Sequence, residues 1–330
     1  MKENTIAILG AGSWGTAVAI HLAHYGNRIM LWGHNPEHII EMQHLRQNKR
    51  YLPGVSLPDL VLPTSNLEAC METASVIIIA VPSHAFADLL DRFNKPPANG
   101  LAWLTKGLDP VSNYLLSDLI AKRFGDSYPI AIISGPSFAK EVAHFLPTAL
   151  TLAGNNLVFQ KQLQRLLHQQ NLRVYLSTDI IGVQLCGAVK NVLAIACGIS
   201  DGLGFGSNAK AALITRGLAE MSRLGRYLGA REETFLGLAG VGDLVLTCTD
   251  NQSRNRRFGL KLGEGINSQE AEKAINQVVE GKHNATQVCN LARRLAVEMP
   301  ICMHVEALLN NELTPLQAVN NLMTRSARDE

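Results

Sequence analysis

The stretch TIAILGAGSWGTAVAIHLAHYG (5–26) constrains the fold more than any other part of the chain. An apolar run ends in three glycines, Gly10, Gly12 and Gly15, spaced G-x-G-x-x-G, and a helical pattern follows. A second strand-like run, RIMLWG (28–33), comes within about 30 residues, the setting of a dinucleotide-binding βαβ unit. Gly10 suits a tight turn, Gly12 a close approach of backbone to a pyrophosphate, and Gly15 the packing of helix on strand. The helix N-terminus then offers unpaired N–H groups to phosphates. A glycine-rich turn without a ligand is the alternative.

The first half keeps this rhythm. TIAILG (5–10), RIMLWG (28–33), SVIIIAVPS (75–83), LAWLTKG (101–107) and IAIISGPS (130–137) are continuous apolar runs. Strands buried on both faces read this way. TAVAIHLAHYG (16–26) and HAFADLLDRF (84–93) between them have helical periodicity. TALTLAG (148–154) and LRVYLST (172–178) predict two more strands around a helix over 159–170. The expectation is an α/β domain over 1–177, a Rossmann-like doubly wound sheet. After Thr178 the rhythm becomes helical, with 180–203 and 208–229 the clearest segments, so 178–330 is expected to be all-α. Gly182, Gly187 and Gly217 inside those helices suggest close packing, and GEGINSQEAEK (263–273) is the most loop-like polar stretch.

Length, 330 residues, suits about two domains. A net charge of +2 is too small to argue for a nucleic acid or a membrane surface as partner. No apolar run reaches the ~18 residues of a membrane span, and the start lacks the pattern of a signal peptide. Six scattered cysteines without a C-x-x-C pair read as reduced core thiols, which fits the cytoplasm. The ten histidines show no metal-ligand spacing such as H-E-x-x-H, so no metal is expected.

Ligands of open α/β sheets bind beyond the carboxyl ends of the strands. An NAD-specific site usually has Asp or Glu at the end of the second strand, for the ribose 2′-OH. Here Gly33, His34 and Asn35 stand there, with no acid. Nothing repels a 2′-phosphate and His34 can hydrogen-bond one, which leans toward NADPH; a solvated loop histidine is the alternative. Pro82 makes a tight turn after one strand, either near the cofactor or structural only; Lys106 ends another and is suited to meet an anion, the alternative being a surface lysine; and SGPSFAKEVA opens a helix with Ser137 near its start, where hydroxyl and N–H groups can hold a hydroxyl or phosphate.

In the second half, Lys190 and Asn191 form the one strongly polar pair between Gln184 and Ser200. Burying a charged lysine is expensive, so its pKa is expected to fall, which makes a general acid–base near neutral pH. The alternative is a lysine reaching solvent. GLAGVGDLVLTCTDNQSRNRRFG (237–259) holds Asp243 after a glycine-rich turn, and Arg254, Arg256 and Arg257 beside Ser253 and Asn255. Planar guanidinium groups suit phosphate, or the cluster is a solvated face.

GAGSWGTA, LTKGL, SGPSFAKEV, AVKNVLAIACG, SNAKAALITRGLAEM and GLAGVGDLVLTC with SRNRRFG together resemble the bacterial NAD(P)-dependent glycerol-3-phosphate dehydrogenase family, in order over about 5–282. The resemblance implies reversible reduction of dihydroxyacetone phosphate to sn-glycerol 3-phosphate, a phospholipid precursor. It implies a C-terminal domain like that of 6-phosphogluconate dehydrogenase. Carried over by motif, Lys190 is the general acid–base, and Lys106, Gly135, Ser137, Asp243, Ser253, Arg254 and Asn255 contact substrate. Ser13, Trp14, His34, Tyr51, Lys106, Ala139, Arg254, Val278 and Glu280 join the three glycines at NAD(P)H. The family takes NADH or NADPH to different degrees. Glycine-rich apolar helices also suit a homodimer. Competing readings are a hydroxyacid dehydrogenase of the same plan and a non-catalytic nucleotide sensor, which has no use for a lysine on an apolar helix.

Overall fold

The computed structural model describes residues 5–324. The chain runs β1 (Thr5–Leu9), α1 (Ser13–His24), β2 (Arg28–Trp32), α2 (Pro36–Leu45), β3 (Val61–Thr64), α3 (Leu67–Thr73), β4 (Val76–Ile79), α4 (Phe86–Asp91), β5 (Leu101–Trp103), α5 (Leu116–Phe124), β6 (Ile130–Ser134), α6 (Ala139–Ala143), β7 (Thr148–Gly154), α7 (Leu157–Leu167) and β8 (Leu172–Ser177). Helices alone follow among the described residues: α8 (Ile180–Gly202), α9 (Ser207–Tyr227), α10 (Glu232–Leu236), α11 (Asp243–Thr249), α12 (Arg254–Gly263), α13 (Ser268–Ile275), α14 (Glu280–Arg294), α15 (Pro300–Leu309) and α16 (Pro315–Met323).

The eight strands form one sheet in the order β3-β2-β1-β4-β5-β6-β7-β8. The pairs from β3 to β6 are parallel. The β6–β7 pair is antiparallel, and β7 and β8 are parallel again. A Rossmann-like sheet domain and a helical domain are therefore both present. Ile6, Ile8, Ile29, Leu31, Val76 and Ile78 are all at most 2% exposed, which is why their runs carry no polar alternation. Helix α1 is buried from Gly15 to Ala23; even His21 is buried, bonded through Nε2 to the Leu167 carbonyl at 3.0 Å, and burial holds its pKa below the ordinary value.

The structure departs from the sequence reading in several places. The strand β3 was not anticipated, so SVIIIAVPS carries the fourth strand and IAIISGPS the sixth. Lys106 stands three positions past the end of β5. Half of the stretch taken as loop, from Ser268, is helix α13, started by Asn267, whose side chain accepts from the Glu270 N–H. Helix α8 is long and apolar enough to cross a membrane, but most of its apolar stretch is buried within the protein. Gln184, Lys190 and Asn191 interrupt its apolar run.

The chain divides into two compact units. One is the chain up to Asp109 with Tyr114–Gln184; the other is Pro110–Asn113 with the chain from Leu185. The division falls within α8 because its first turn belongs to the sheet unit. Gln184 accepts from the Ser117 N–H at 3.1 Å and donates to Ser117 Oγ at 2.9 Å.

In the helical unit α8 is the axis, buried at every position from Leu185 to Ser200. Gly217 lets α9 lie close, since a Cβ there would sit 2.8 Å from Leu193. The tightest crossing was not singled out from sequence. A Cβ on Gly198 would fall 2.1 Å from the Arg256 carbonyl oxygen, and one on Gly259 2.1 Å from that of Ile195, so α8 and α12 touch backbone to backbone.

Candidate active site

In the sheet unit the glycines occupy the carboxyl end of β1. Gly10 has φ +135°, and a Cβ there would lie 2.5 Å from the Ala80 carbonyl, so no other residue fits. Gly15 would place its Cβ 2.1 Å from the Gly10 carbonyl oxygen. Gly12 differs: it has ordinary backbone angles, caps α1 without a side-chain partner, and a Cβ there would meet nothing within 4 Å. That open space before a helix N-terminus is where a pyrophosphate fits, so the residues present suit a dinucleotide. Trp14 next to it has a buried Nε1 without a hydrogen-bond partner among the described residues.

Asn48, wholly buried, joins this turn to its surroundings and was missed in the sequence. Its Nδ2 donates to the Ala11 carbonyl at 3.0 Å and to Thr16 Oγ1 at 2.8 Å. Its Oδ1 meets His38 Nε2 at 3.0 Å and accepts from the Tyr51 N–H at 3.2 Å. Tyr51 is thereby tethered to the glycine turn. His34 is exposed at the loop after β2. Lys106, half-buried, follows Thr105, whose Oγ1 donates to the Val81 carbonyl at 2.7 Å and ties two strand ends together. Gly135 follows β6 at φ +137°; Ser137 Oγ donates to its carbonyl at 3.1 Å, and Ala139 opens α6.

The helical unit holds the other cluster. Lys190, 5% exposed, places Nζ 2.5 Å from Asp243 Oδ1 and 3.0 Å from Thr247 Oγ1. Thr247 Oγ1 in turn lies 2.6 Å from the Asp243 carbonyl. Asp243, 1% exposed, opens α11 directly after a π-helical run over Leu238–Gly242, a local form frequent at functional sites. Two buried charges this close offset each other's desolvation, which neither residue could bear alone. Asn191 extends the cluster: its Oδ1 accepts from Asn255 Nδ2 at 2.9 Å, and Asn255 Oδ1 accepts from the Gly281 N–H at 2.9 Å. Asn191 Nδ2 is buried with no partner among the described residues, a donor left for something else.

Ser253 caps α12, its Oγ accepting from the Arg256 N–H at 3.2 Å. Arg254 Nη1 reaches the Val278 carbonyl at 3.5 Å, and Glu280 opens α14 two residues on. Lys190, Asp243, Asn255, Arg254, Val278 and Glu280 are thus linked through neighbouring backbone. The three arginines do not act as one cluster. Arg256 is 8% exposed and is held by Asp201 and Asn251, so it fastens α12 to the end of α8. Thr247 was missed because a threonine inside a helix carries no signal until its partner 57 positions away is known.

Two family models cover nearly the whole chain: the N-terminus of NAD-dependent glycerol-3-phosphate dehydrogenase matches residues 5–160, and its C-terminus residues 179–320. The chain belongs to the NAD-dependent glycerol-3-phosphate dehydrogenase family. Among curated relatives, a glycerol-3-phosphate dehydrogenase [NAD(P)+] of Legionella pneumophila (strain Lens) is 64% identical over all of both chains. One from Shewanella halifaxensis is 50% identical over 98% of this chain and 97% of its own. A crystal structure of glycerol-3-phosphate dehydrogenase from Coxiella burnetii matches with TM-score 0.95 at 52% identity, over 98% of this chain and 99% of the other. The chain is therefore an NAD(P)-dependent oxidoreductase that acts on glycerol 3-phosphate, and its cofactor is NAD(P)H. The glycerol-3-phosphate dehydrogenase assignment removes the sensor and hydroxyacid readings.

Proposed function

We propose that Lys190 is the general acid–base in the reversible reduction of dihydroxyacetone phosphate to sn-glycerol 3-phosphate. The observation that carries this is the buried Lys190–Asp243–Thr247 arrangement, with Nζ fixed by bonds of 2.5 and 3.0 Å. Bound NAD(P)H supplies the hydride that adds to the ketone carbon. Lys190 gives a proton from Nζ to the carbonyl oxygen as it becomes a hydroxyl, and takes it back in the oxidation. Asp243 holds Nζ in place, and Thr247 fixes a second direction of the ammonium group. Arg254 at the start of α12 is the proposed phosphate anchor, a task its planar fork suits, with Ser253 and Asn255 beside it. Lys106, Gly135 and Ser137 carry forward as proposed substrate contacts of the sheet unit. The open cradle at Gly12, with Gly10, Ser13, Trp14 and Gly15, is the proposed pyrophosphate seat. His34, Tyr51, Lys106 and Ala139 are proposed cofactor contacts on the sheet unit, and Arg254, Val278 and Glu280 on the helical unit. The absence of an acid at 33–35 supports a lean to NADPH. Buried free thiols fit the cytoplasm, and supply of glycerol 3-phosphate for phospholipid synthesis is the proposed role.

The test is the loss of nicotinamide absorbance with dihydroxyacetone phosphate, on wild type and Lys190→Ala. The variant is expected to lose about a thousandfold in kcat while its affinity for NADPH, read by fluorescence titration, stays within threefold. A variant within tenfold of wild-type kcat overturns the role of Lys190.

A further inference from the structure

The helical unit contains a second concavity, of about 610 Å³, walled by the C-terminal turns of α8 and by α9, α15 and α16. None of the proposed catalytic or substrate residues lines it. Its volume is that of a small-molecule site. Helix α9 contributes one stripe, with Ala209, Leu213, Arg216, Glu220 and Arg223 in the lining. The fourteen rises of 1.5 Å between Ala209 and Arg223 make it about 21 Å long. The opposite wall is aliphatic, with Ile199, Val305, Leu308, Val319 and Leu322 prominent. The space is therefore long and apolar, shaped for a linear chain.

Three polar features set the chemistry of an occupant. Ser200 is 4% exposed, lines the cavity, and its Oγ has no hydrogen-bond partner among the described residues. Buried hydroxyls are almost always paired, so this wall is incomplete as it stands. Arg216 makes no ion pair or hydrogen bond within the described residues, and its guanidinium is left for an anion. Glu220 does not cancel it. Both oxygens of that carboxylate accept backbone N–H groups, from Ile301 at 2.6 Å and Cys302 at 3.2 Å, and so are turned onto the start of α15. At the rim Arg223 and Glu298 carry opposite charges, with Arg223 Nη1 bonded to the Glu298 carbonyl at 2.5 Å. The charge left over is positive.

We propose that this cavity is a binding site for a fatty acid anion, its alkyl chain along the α9 stripe and its carboxylate on Arg216. The site is separate from the Lys190 cluster, though α8 carries residues of both. An alkyl chain explains the aliphatic wall, and a carboxylate answers the unpaired guanidinium.

The experiment is isothermal titration of the full chain with dodecanoate below its micelle concentration, beside octanoate and dodecanol. Each methylene withdrawn from water tightens binding about fourfold, so dodecanoate should bind roughly two hundredfold more tightly than octanoate. Dodecanol should bind at least tenfold more weakly than dodecanoate. Arg216→Glu, at an exposed position, should weaken dodecanoate by tenfold or more. Ala212→Trp, also exposed and in the lining, should abolish binding by filling the groove. Circular dichroism of both variants should match wild type. Absence of saturable binding overturns the proposal, as does an affinity indifferent to chain length or unchanged in both variants. Sedimentation showing a dimer that Ala212→Trp dissociates also overturns it, since a second copy would then cover the groove.

Discussion

His34 stands where an acid would select against NADPH, and its exposure leaves it open to substitution without damage to the fold. His34→Glu puts a carboxylate beside the proposed ribose position. Repulsion of a 2′-phosphate at a surface site amounts to about 1–2 kcal/mol, so the Kd for NADPH should rise about tenfold relative to that for NADH. Fluorescence titration of both cofactors checks this; an unmoved ratio removes His34 from the recognition of the cofactor. Glu220 gives a prediction of a different kind. Burial pushes its carboxyl up from 4.5 to about 7, against the two N–H groups it accepts. Between those values the folded chain holds a proton that the unfolded chain has lost. The stability it contributes is full below about pH 4.5 and is lost as pH rises through 7. The whole change is on the order of 3 kcal/mol. Urea unfolding of Glu220→Gln should show a flatter dependence over pH 5–8 than wild type, and parallel curves would refute the assignment. At this scale the sequence was legible where a residue is out of place for its surroundings. Lys190 in an apolar helix is such a case, and so is Gly10 in a strand turn. It was silent where the residue is ordinary and its partner is distant: Asn48 acts through Ala11 and Thr16, 37 and 32 positions away, and Thr247 through Lys190.

At the scale of elements, what a sequence carries is periodicity, and it carries it well for long segments. Helices α8 and α9 and strands β1, β2, β6, β7 and β8 were all legible. β3 was not, because VLPT has four residues, one of them a proline, and alternates buried with half-buried positions as an edge strand can. The reversed direction of β7 against β6 was equally hidden, since a strand reads the same whichever neighbour it pairs with. The α8–α12 crossing illustrates the same limit. Gly198 and Gly202 on one helix, Gly259 and Gly263 on the other, look like helix-weakening residues until the backbones are seen to touch. Gly198→Ala should gain about 1 kcal/mol in helix propensity. Its Cβ, however, would meet the Arg256 carbonyl oxygen at 2.1 Å and the Leu260 nitrogen at 2.7 Å, and backbone cannot move aside as a side chain can. Overpacking of this kind costs about 1–3 kcal/mol, so the net change should be destabilising. A midpoint in urea that rises instead would show that α12 can shift outward, and would remove close contact as the reason for these glycines.

The whole molecule places its six cysteines inside. All six are free and buried, with Cys70 in the sheet unit and Cys186, Cys197, Cys248, Cys289 and Cys302 in the helical one. Burial pushes the Cys70 thiol up to about 12, and those of Cys289 and Cys302 well up too. The thiolate is the reactive form, so burial opposes attack at all six, and the raised thiols of Cys70, Cys289 and Cys302 oppose it further. A disulfide-exchange reagent at pH 8 should therefore modify less than one thiol per native chain over minutes, and six after denaturation. What slow modification does occur must pass through opening of the structure, and its rate then reports the free energy of that opening. A ligand that binds only the folded form lowers the open population by the factor 1 + [L]/Kd. NADPH at a hundred times its Kd should then slow modification of Cys70 about a hundredfold, read by mass spectrometry of peptides from the labelled chain. Cys70 lies on α3, which packs against β1 and β2 on either side of the glycine turn, so its exposure requires the nucleotide-binding unit itself to open. A fast stoichiometric burst at any cysteine would show a local path to solvent, and a Cys70 rate indifferent to NADPH would separate its opening from the cofactor seat.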